Sequence, residues 1–343
     1  MPFLVCPMSI LSEAVRTGFS GRRVVIVGDV VADQFLHGTI SRVSREAPVF
    51  ILNHDETDTR PGGAANAAAN VAALGGIPVL VGLLGNDANG GLLCDTLERM
   101  NVGVESLVID GRIRTTTKVR VLAGQEYALR QQVIRIDYAN TEPVDDDVYS
   151  LLRKRFEAAC NEAEAIIISD YNYGAARGEI TEAARQCSKS LGIPLLIDSR
   201  FRLADFHDAT AATPNQEEVE QMLGKNPDAG ACESLRKRLS YKALLVTRGN
   251  KGMTLYETGN APRDFEAIGP KEPVDVTGAG DTVIGAFALG LAASLSFADA
   301  AKIANHAGSI VVMKRGTAVA TTDELIASLD GEVEDRVSAI PQI

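Results

Sequence analysis

Tryptophan is absent, glycine contributes 31 of 343 residues, and neither an internal repeat nor a low-complexity linker interrupts the chain. A repeat array is excluded, and the balance suits an α/β protein with many tight turns. The five cysteines, Cys6, Cys94, Cys160, Cys187 and Cys232, include no Cys-x-x-Cys pair and have no nearby histidine. Neither a zinc site nor a disulfide framework is indicated, so they are expected to be buried thiols. Basic residues are outnumbered, 34 Lys and Arg against 45 Asp and Glu, for a net charge of −11. General binding to nucleic acid or to an anionic membrane is therefore not expected, although a local basic pocket for a phosphorylated ligand remains open. Long apolar spans are missing too. The apolar, uncharged run 282–298 holds Gly285, Gly290, Ser294 and Ser296, and it falls short of the roughly 20 apolar residues a span needs. A buried core helix is expected there. Residues 1–12 lack a basic leader and the first charge is Glu13, so no secretory signal is read and a cytoplasmic protein is expected.

What is present alternates. Runs rich in Val and Ile at 24–31, 79–84, 165–170, 194–198 and 243–247 read as strands of a parallel sheet buried on both faces. Helical segments are expected between them at 64–74, 90–100, 145–163, 179–191, 217–223 and 232–239, giving a three-layer α/β/α fold. Two stretches, 35–55 and 115–138, read as extended chain with no long helix between. They are expected to pair as a small antiparallel sheet, a lid over the ligand crevice that excludes water. The division expected is an N-terminal extension over 1–20, one domain over 21–330 and a frayed tail over 331–343.

The segment Asp275-Val276-Thr277-Gly278-Ala279-Gly280-Asp281-Thr282 precedes an apolar helix. Its glycines let the backbone turn sharply and approach a ligand, and a helix N-terminus offers unpaired N–H groups to a phosphate. A carboxylate at the rim of such an anion hole can accept the proton of an attacking hydroxyl, which is the minimum set for phosphoryl transfer. Taken alone, Asp281 reads more readily as a helix cap. Other nucleotide motifs fail: a Rossmann fingerprint needs Gly where Val283 stands, and Gly224-Lys225 is followed by Asn226 in place of the P-loop Ser or Thr. Upstream, Arg60-Pro61-Gly62-Gly63-Ala64-Ala65-Asn66 opens an Ala-rich helix, where Gly62 and Gly63 permit close approach and Asn66 can bond sugar hydroxyls. Asp29 and Asp33 follow the first core strand, at the edge where a parallel sheet presents ligand-binding groups.

In the order and separation of Pro-Gly-Gly-Ala-Ala-Asn and Asp-x-Thr-Gly-Ala-Gly-Asp-Thr, the chain resembles the ribokinase-like, or PfkB, carbohydrate kinases. Within them it is most similar to the D-glycero-β-D-manno-heptose 7-phosphate kinases. That likeness rests on Val27-Gly28-Asp29-Val30, Ser41-Arg42-Val43-Ser44, Glu46-Ala47-Pro48, 60–66, 117–122, Ser169-Asp170-Tyr171, Thr213-Pro214-Asn215, Leu245-Val246-Thr247-Arg248 and 274–285. It extends over about 24–321.

The resemblance implies an ATP-dependent kinase acting on a sugar or sugar phosphate, with Asp281 as base and the backbone of Gly278, Ala279 and Gly280 as anion hole. It implies sugar contacts from Asp29, Asp33, Gly62, Gly63 and Asn66, with Lys118, Arg120 and Arg200 supplying charge. Asn215 and Glu218 match an Asn-x-x-Glu element that organises Mg2+ and phosphates, Glu218 acting through the metal's water shell; the same spacing is also a capping box. Thr247, Gly249, Gly252, Asn305 and Gly316 match the nucleotide border, and Asp275 with Thr277 matches a K+ position of some relatives. Lids that pair across subunits imply a homodimer. Where heptose phosphate kinases read Asp-Pro-Lys and Asp-Tyr-x-Lys-Gly, this chain has Asp198-Ser199-Arg200 and Asp170-Tyr171-Asn172-Tyr173-Gly174. Phosphorylation of heptose 7-phosphate at O1 is the leading expectation. Another family activity on a ketose, pentose or nucleoside, or a catalytically silent binding protein, are the alternatives. No His-x-Gly-His run occurs, so the nucleotidyltransferase fused to some heptose kinases is not expected here.

Overall fold

The computed structural model describes residues 9–125, 130–140, 144–270 and 272–338. Its strands are β1 (Arg23–Gly28), β2 (Val30–Val43), β3 (Phe50–Gly63), β4 (Ile77–Gly85), β5 (Leu107–Asp110), β6 (Thr117–Gly124), β7 (Gln131–Tyr138), β8 (Ala165–Asp170), β9 (Leu195–Ser199), β10 (Ala211–Ala212), β11 (Ala243–Thr247), β12 (Met253–Glu257) and β13 (Arg263–Phe265). Its helices are α1 (Ile10–Glu13), continued by a π-helical turn, then α2 (Ala64–Ala73), α3 (Ala88–Arg99), α4 (Asp146–Cys160), α5 (Gly178–Leu191), α6 (Gln216–Leu223), α7 (Ala229–Arg238), α8 (Ala279–Ala292), α9 (Phe297–Val311) and α10 (Thr322–Ser338).

Nine strands form the body sheet in the order β13-β12-β11-β10-β9-β8-β1-β4-β5. Pairing is parallel from β11 to β5, and β12 and β13 close one edge antiparallel. Alternation along β1 sends Val24 and Ile26 into a core shared with α2, α8 and α9, and Val25 and Val27 into a second core under α4, α5 and α7. All four side chains are fully buried, each stabilising the fold by roughly 1.5–3 kcal/mol. Small residues let α2 and α8 approach closely: a Cβ on Gly285 of α8 would lie 3.4 Å from the Ala67 carbonyl oxygen of α2. That approach brings the first turns of both helices together.

The smaller sheet has the order β3-β2-β6-β7. It differs from the expected antiparallel lid because β2 and β6 pair parallel, while β2–β3 and β6–β7 are antiparallel hairpins. The strand expected over 24–31 divides at Asp29, where the chain leaves the body sheet and continues as the lid. Period-two alternation and the registers Asp33–Lys118, Phe35–Arg120 and Arg120–Arg135 put these residues on one lid face. The registers Val119–Ile136 and Val121–Ile134 make the other face apolar, with Ile134 53% and Ile136 41% exposed. At the C-terminal end Leu325 and Leu329 of α10 pack into the core; residues 339–343 lie outside the described residues. Cys160 and Cys232 are buried as expected, Cys94 and Cys187 are only partly so, and Cys6 lies outside the described residues. No helix among the described residues is long and apolar enough to cross a membrane.

Candidate active site

The C-terminal ends of the parallel strands converge on one cleft, as expected for an open α/β sheet. Tyr171 follows β8, Asp198 is the penultimate residue of β9 and Arg200 follows that strand, Thr213 and Asn215 follow β10, and Thr247 ends β11. These residues, Glu218 of α6 and the turn 276–281 line a cavity of about 400 Å³ that is roofed by Asp33, Lys118, Arg120 and Arg135 of the lid. A second, mostly apolar cavity of about 170 Å³ adjoins it. Thr247, Val276 and Gly280 border both. A charged chamber and an apolar chamber thus meet at the N-terminus of α8.

Gly278 starts that helix with φ +79° and no side-chain cap. Among the described residues the amides of Gly280 and Asp281 find no acceptor, whereas Ala279 N–H donates to Val276 O and Thr282 N–H to Gly278 O. Two free N–H groups at a helix N-terminus, facing the junction of the chambers, are suited to a phosphate. The hydroxyls of Thr213 and Thr317, on residues bordering the charged chamber, are likewise buried without a partner. Orphaned polar atoms of this kind require a ligand or water. The donor set therefore fits a polyphosphate lying across the junction, its apolar end in the smaller chamber.

Asp281, 2% exposed, accepts from Tyr171 Oη at 2.9 Å and from Asn66 Nδ2 at 2.8 Å. Burial pushes its carboxyl up to about 6, opposed by those two donors and by Lys118, while Asp33 pushes the same way as burial. The helix N-terminus would by itself lower this pKa; desolvation outweighs it. Burial also raises Asp198, reinforced by the charges of Asp281 and Glu218 and opposed by Arg200. Glu218 is raised by burial, opposed by hydrogen bonds from Asn215. Lys118 is lowered by burial, with Asp33 opposing.

Several expected contacts take another form. Asp29 points away from the cavity: its carboxylate accepts Tyr171, Tyr173 and Ala175 N–H at 2.8, 3.0 and 3.0 Å and so shapes the loop after β8. Asn66 is spent on Asp281 and on the Gly278 carbonyl, leaving its amide unavailable to a sugar. Gly62 backs onto Asp33, and Gly63, with φ +57°, lines the cavity. Asp33 is ion-paired to Arg120, a tie that holds β2 to β6. Arg60 lies outside the cavity, bonded to Asp58 and to the Arg315 carbonyl. Asn215 and Glu218 make a complete capping box and also line the cavity. Thr247, Gly249, Gly252 and Asn305 border the apolar chamber, but Gly316 does not; its N–H binds Asp275, which also accepts Thr277 N–H. Tyr173, where a lysine was expected, sets its ring 5.5 Å from Lys118 Nζ, and the Tyr171 ring lies 5.2 Å from the same nitrogen. Sequence reasoning missed Tyr171, Asp198 and Arg135 as cavity residues. The signal for the first two was available, since both stand at strand C-termini.

Among the described residues no three His, Cys, Asp or Glu side chains gather into a metal cluster. Glu218 fits magnesium in the usual way for that ion, which keeps most of its waters and needs one or two carboxylates beside substrate phosphates.

The comparisons agree with this architecture. Ribokinase of Arabidopsis thaliana, solved with ribose and ATP, is similar with a TM-score of 0.67 at 22% identity, covering 90% of this chain and 99% of that one. Phosphofructokinase-2 of Escherichia coli gives 0.71 at 19% identity, covering 90% and 98%. By sequence the chain is 39% identical over 324 residues to the bifunctional protein HldE of Nitrosococcus oceani, covering 91% of this chain and 64% of that protein. It is 40% identical over 327 residues to HldE of Halorhodospira halophila, covering 92% and 65%. The chain thus spans just under two thirds of the length of these relatives. The model of the pfkB family carbohydrate kinases matches residues 22–324. With two chambers meeting at a helix N-terminus, a buried carboxylate beside that junction, and this match, the chain belongs to the pfkB family of carbohydrate kinases and is a sugar kinase.

Proposed function

We propose that the acceptor is D-glycero-β-D-manno-heptose 7-phosphate and that the transferred phosphoryl group goes to O1. The observation that carries this is the charge lining the cavity. Lys118 and Arg200 line the cavity opposite Asp281 and have no carboxylate partner among the described residues, in contrast to Arg120 and Arg135, which pair with Asp33 and Asp137. Two unpaired cations in a semi-enclosed cleft favour an acceptor that brings its own phosphate. The relatives at 39% and 40% identity support the same subgroup.

In this reading Asp281 is the base. It takes the proton of the attacking hydroxyl, while the amides of Gly280 and Asp281 hold phosphate oxygens and the lid keeps water out. Thr247, Gly249, Gly252 and Asn305 border the adenosine. Magnesium, when bound, offsets phosphate charge; Glu218 would hold it through water. A potassium ion beside Asp275 and Thr277, and a dimer formed through the apolar lid faces, belong to the same proposal.

The test is a comparison of kcat/KM for heptose 7-phosphate, free heptose, ribose and fructose 6-phosphate, with Asp281→Asn as control. The heptose phosphate should lead by at least tenfold, since an unpaired charged donor in a closed site costs about 1.5–3 kcal/mol. Asp281→Asn should lose on the order of 10²–10⁴-fold in kcat. Equal efficiency on a neutral sugar would move the assignment to another family activity.

A further inference from the structure

We propose that Tyr171 is a positioning residue for Asp281, its hydroxyl and the Asn66 amide each gripping one oxygen of the carboxylate. The inference rests on the reading of Asp281 as the base and extends it to what holds that base.

The grip is built from several directions. Tyr171 Oη stands 2.9 Å from Asp281 Oδ1, and Asn66 Nδ2 stands 2.8 Å from Oδ2. The Tyr171 backbone N–H is fixed by Asp29, which also fixes the N–H groups of Tyr173 and Ala175. Its ring lies against Gly63, where a Cβ would stand 3.4 Å from Cδ2 and Cε2. Lys118 of the lid covers the ring at 5.2 Å. Gly63 thus packs against the ring that reaches Asp281, while its tighter approach is to the Asp29 carbonyl oxygen, 2.6 Å from where a Cβ would stand.

The chemistry suits a clamp. Burial and the Asp281 charge hold the Tyr171 hydroxyl well above its usual pKa, so it remains a donor throughout the working range. Each carboxylate oxygen offers two lone-pair directions; one donor per oxygen leaves the other direction for the acceptor hydroxyl. Two donors also fix the rotation of the group, and placement is where most of the advantage of a weak base lies. They favour the ionised form besides. The other charges lining the cavity with Asp281 are Asp33, Lys118, Arg120 and Arg135 from the lid, and Asp198, Arg200 and Glu218 from the end of β9 and the start of α6. None of these replaces a neutral donor on the carboxylate itself.

Removing the Tyr171 hydroxyl raises the Asp281 pKa. Because the base acts only when ionised, the acid limb of the rate profile must move to higher pH. The experiment is the pH dependence of kcat and of kcat/KM for the unmodified enzyme, Tyr171→Phe and Asp281→Asn, using the best acceptor from the comparison above. Tyr171→Phe should lower kcat, leave KM for ATP within twofold, and move the acid limb up by about one pH unit. Site-specific 3-fluorotyrosine at 171, a stronger donor of nearly the same shape, should move it down, which keeps the test open if the Phe variant folds poorly. A limb unmoved by either substitution, with kcat reduced evenly at every pH, overturns the proposal. Near-normal turnover in Asp281→Asn would instead refute the base itself, whatever Tyr171→Phe does.

Discussion

Gly278 and Gly280 stand two residues apart at the start of α8, and alanine at each should harm the enzyme in different ways. At Gly278 the backbone has φ +79°, and a Cβ would lie 2.4 Å from Asn66 Nδ2. A side chain in that backbone region costs roughly 1–2 kcal/mol. Unstrained contact needs about 3.5 Å, so the Asn66 amide must retreat by about 1 Å. Its 2.8 Å bond to Asp281 then passes out of hydrogen-bonding range. A misplacement of that size in a catalytic array costs on the order of 100-fold. Gly278→Ala should therefore lose about 100-fold in kcat, and its Tm should fall by a few degrees. At Gly280 an added Cβ meets nothing within 4 Å, and alanine gains up to ~1 kcal/mol of helix propensity. The methyl group, however, enters the junction of the two chambers. Gly280→Ala should keep or raise Tm while KM for ATP rises about tenfold, a penalty of ~1.4 kcal/mol. ADP release over an ATP titration and thermal melts of both variants decide it. The reasoning is refuted by Gly278→Ala turning over within threefold of the unmodified enzyme, or by an unchanged KM for ATP in Gly280→Ala.

Asp29→Asn leaves at least one of the Tyr171, Tyr173 and Ala175 amides facing a donor instead of an acceptor. It should cost about 1–3 kcal/mol in urea denaturation and lower kcat through Tyr171, whereas unchanged stability would mean the carboxylate is not the anchor of that loop. On the apolar lid face, Ile134→Lys should convert a dimer to a monomer in sedimentation at micromolar concentration, and an unmodified chain already sedimenting as a monomer would remove the proposed lid pairing.

The body sheet is legible in the sequence because strands buried on both faces must be nearly continuous Val and Ile. The two glycine motifs are legible because a left-handed turn and a close backbone approach restrict residue type more than packing does. What the sequence hides is the choice of partner. Asp29 and Asn66 have the chemistry of sugar ligands, and only the close approach of α2 to α8 and the return of the chain after β8 show that a loop and Asp281 claim them instead. The state of Asp281 is hidden for the same reason. Its local helix terminus argues for a low pKa, and the opposing desolvation is set by residues brought in from distant parts of the chain. The strand break at Asp29 is equally invisible, since 24–31 is apolar throughout except for that residue and Gly28.

The division of labour between roof and floor has an evolutionary consequence. Lys118, Arg120 and Arg135 come from the lid, at alternate positions on paired strands, whereas the glycine turn and Asp281 belong to the body, at the start of one buried helix. Substitutions at every second lid residue can revise the charge and shape presented to an acceptor without disturbing a single core contact of that helix. A lineage built this way can explore new sugars while its phosphoryl-transfer apparatus is inherited intact. Tyr173, which meets Lys118 from the loop after β8 held by Asp29, is the exception: there the body itself reaches the lid's charge, and a change would be felt by both.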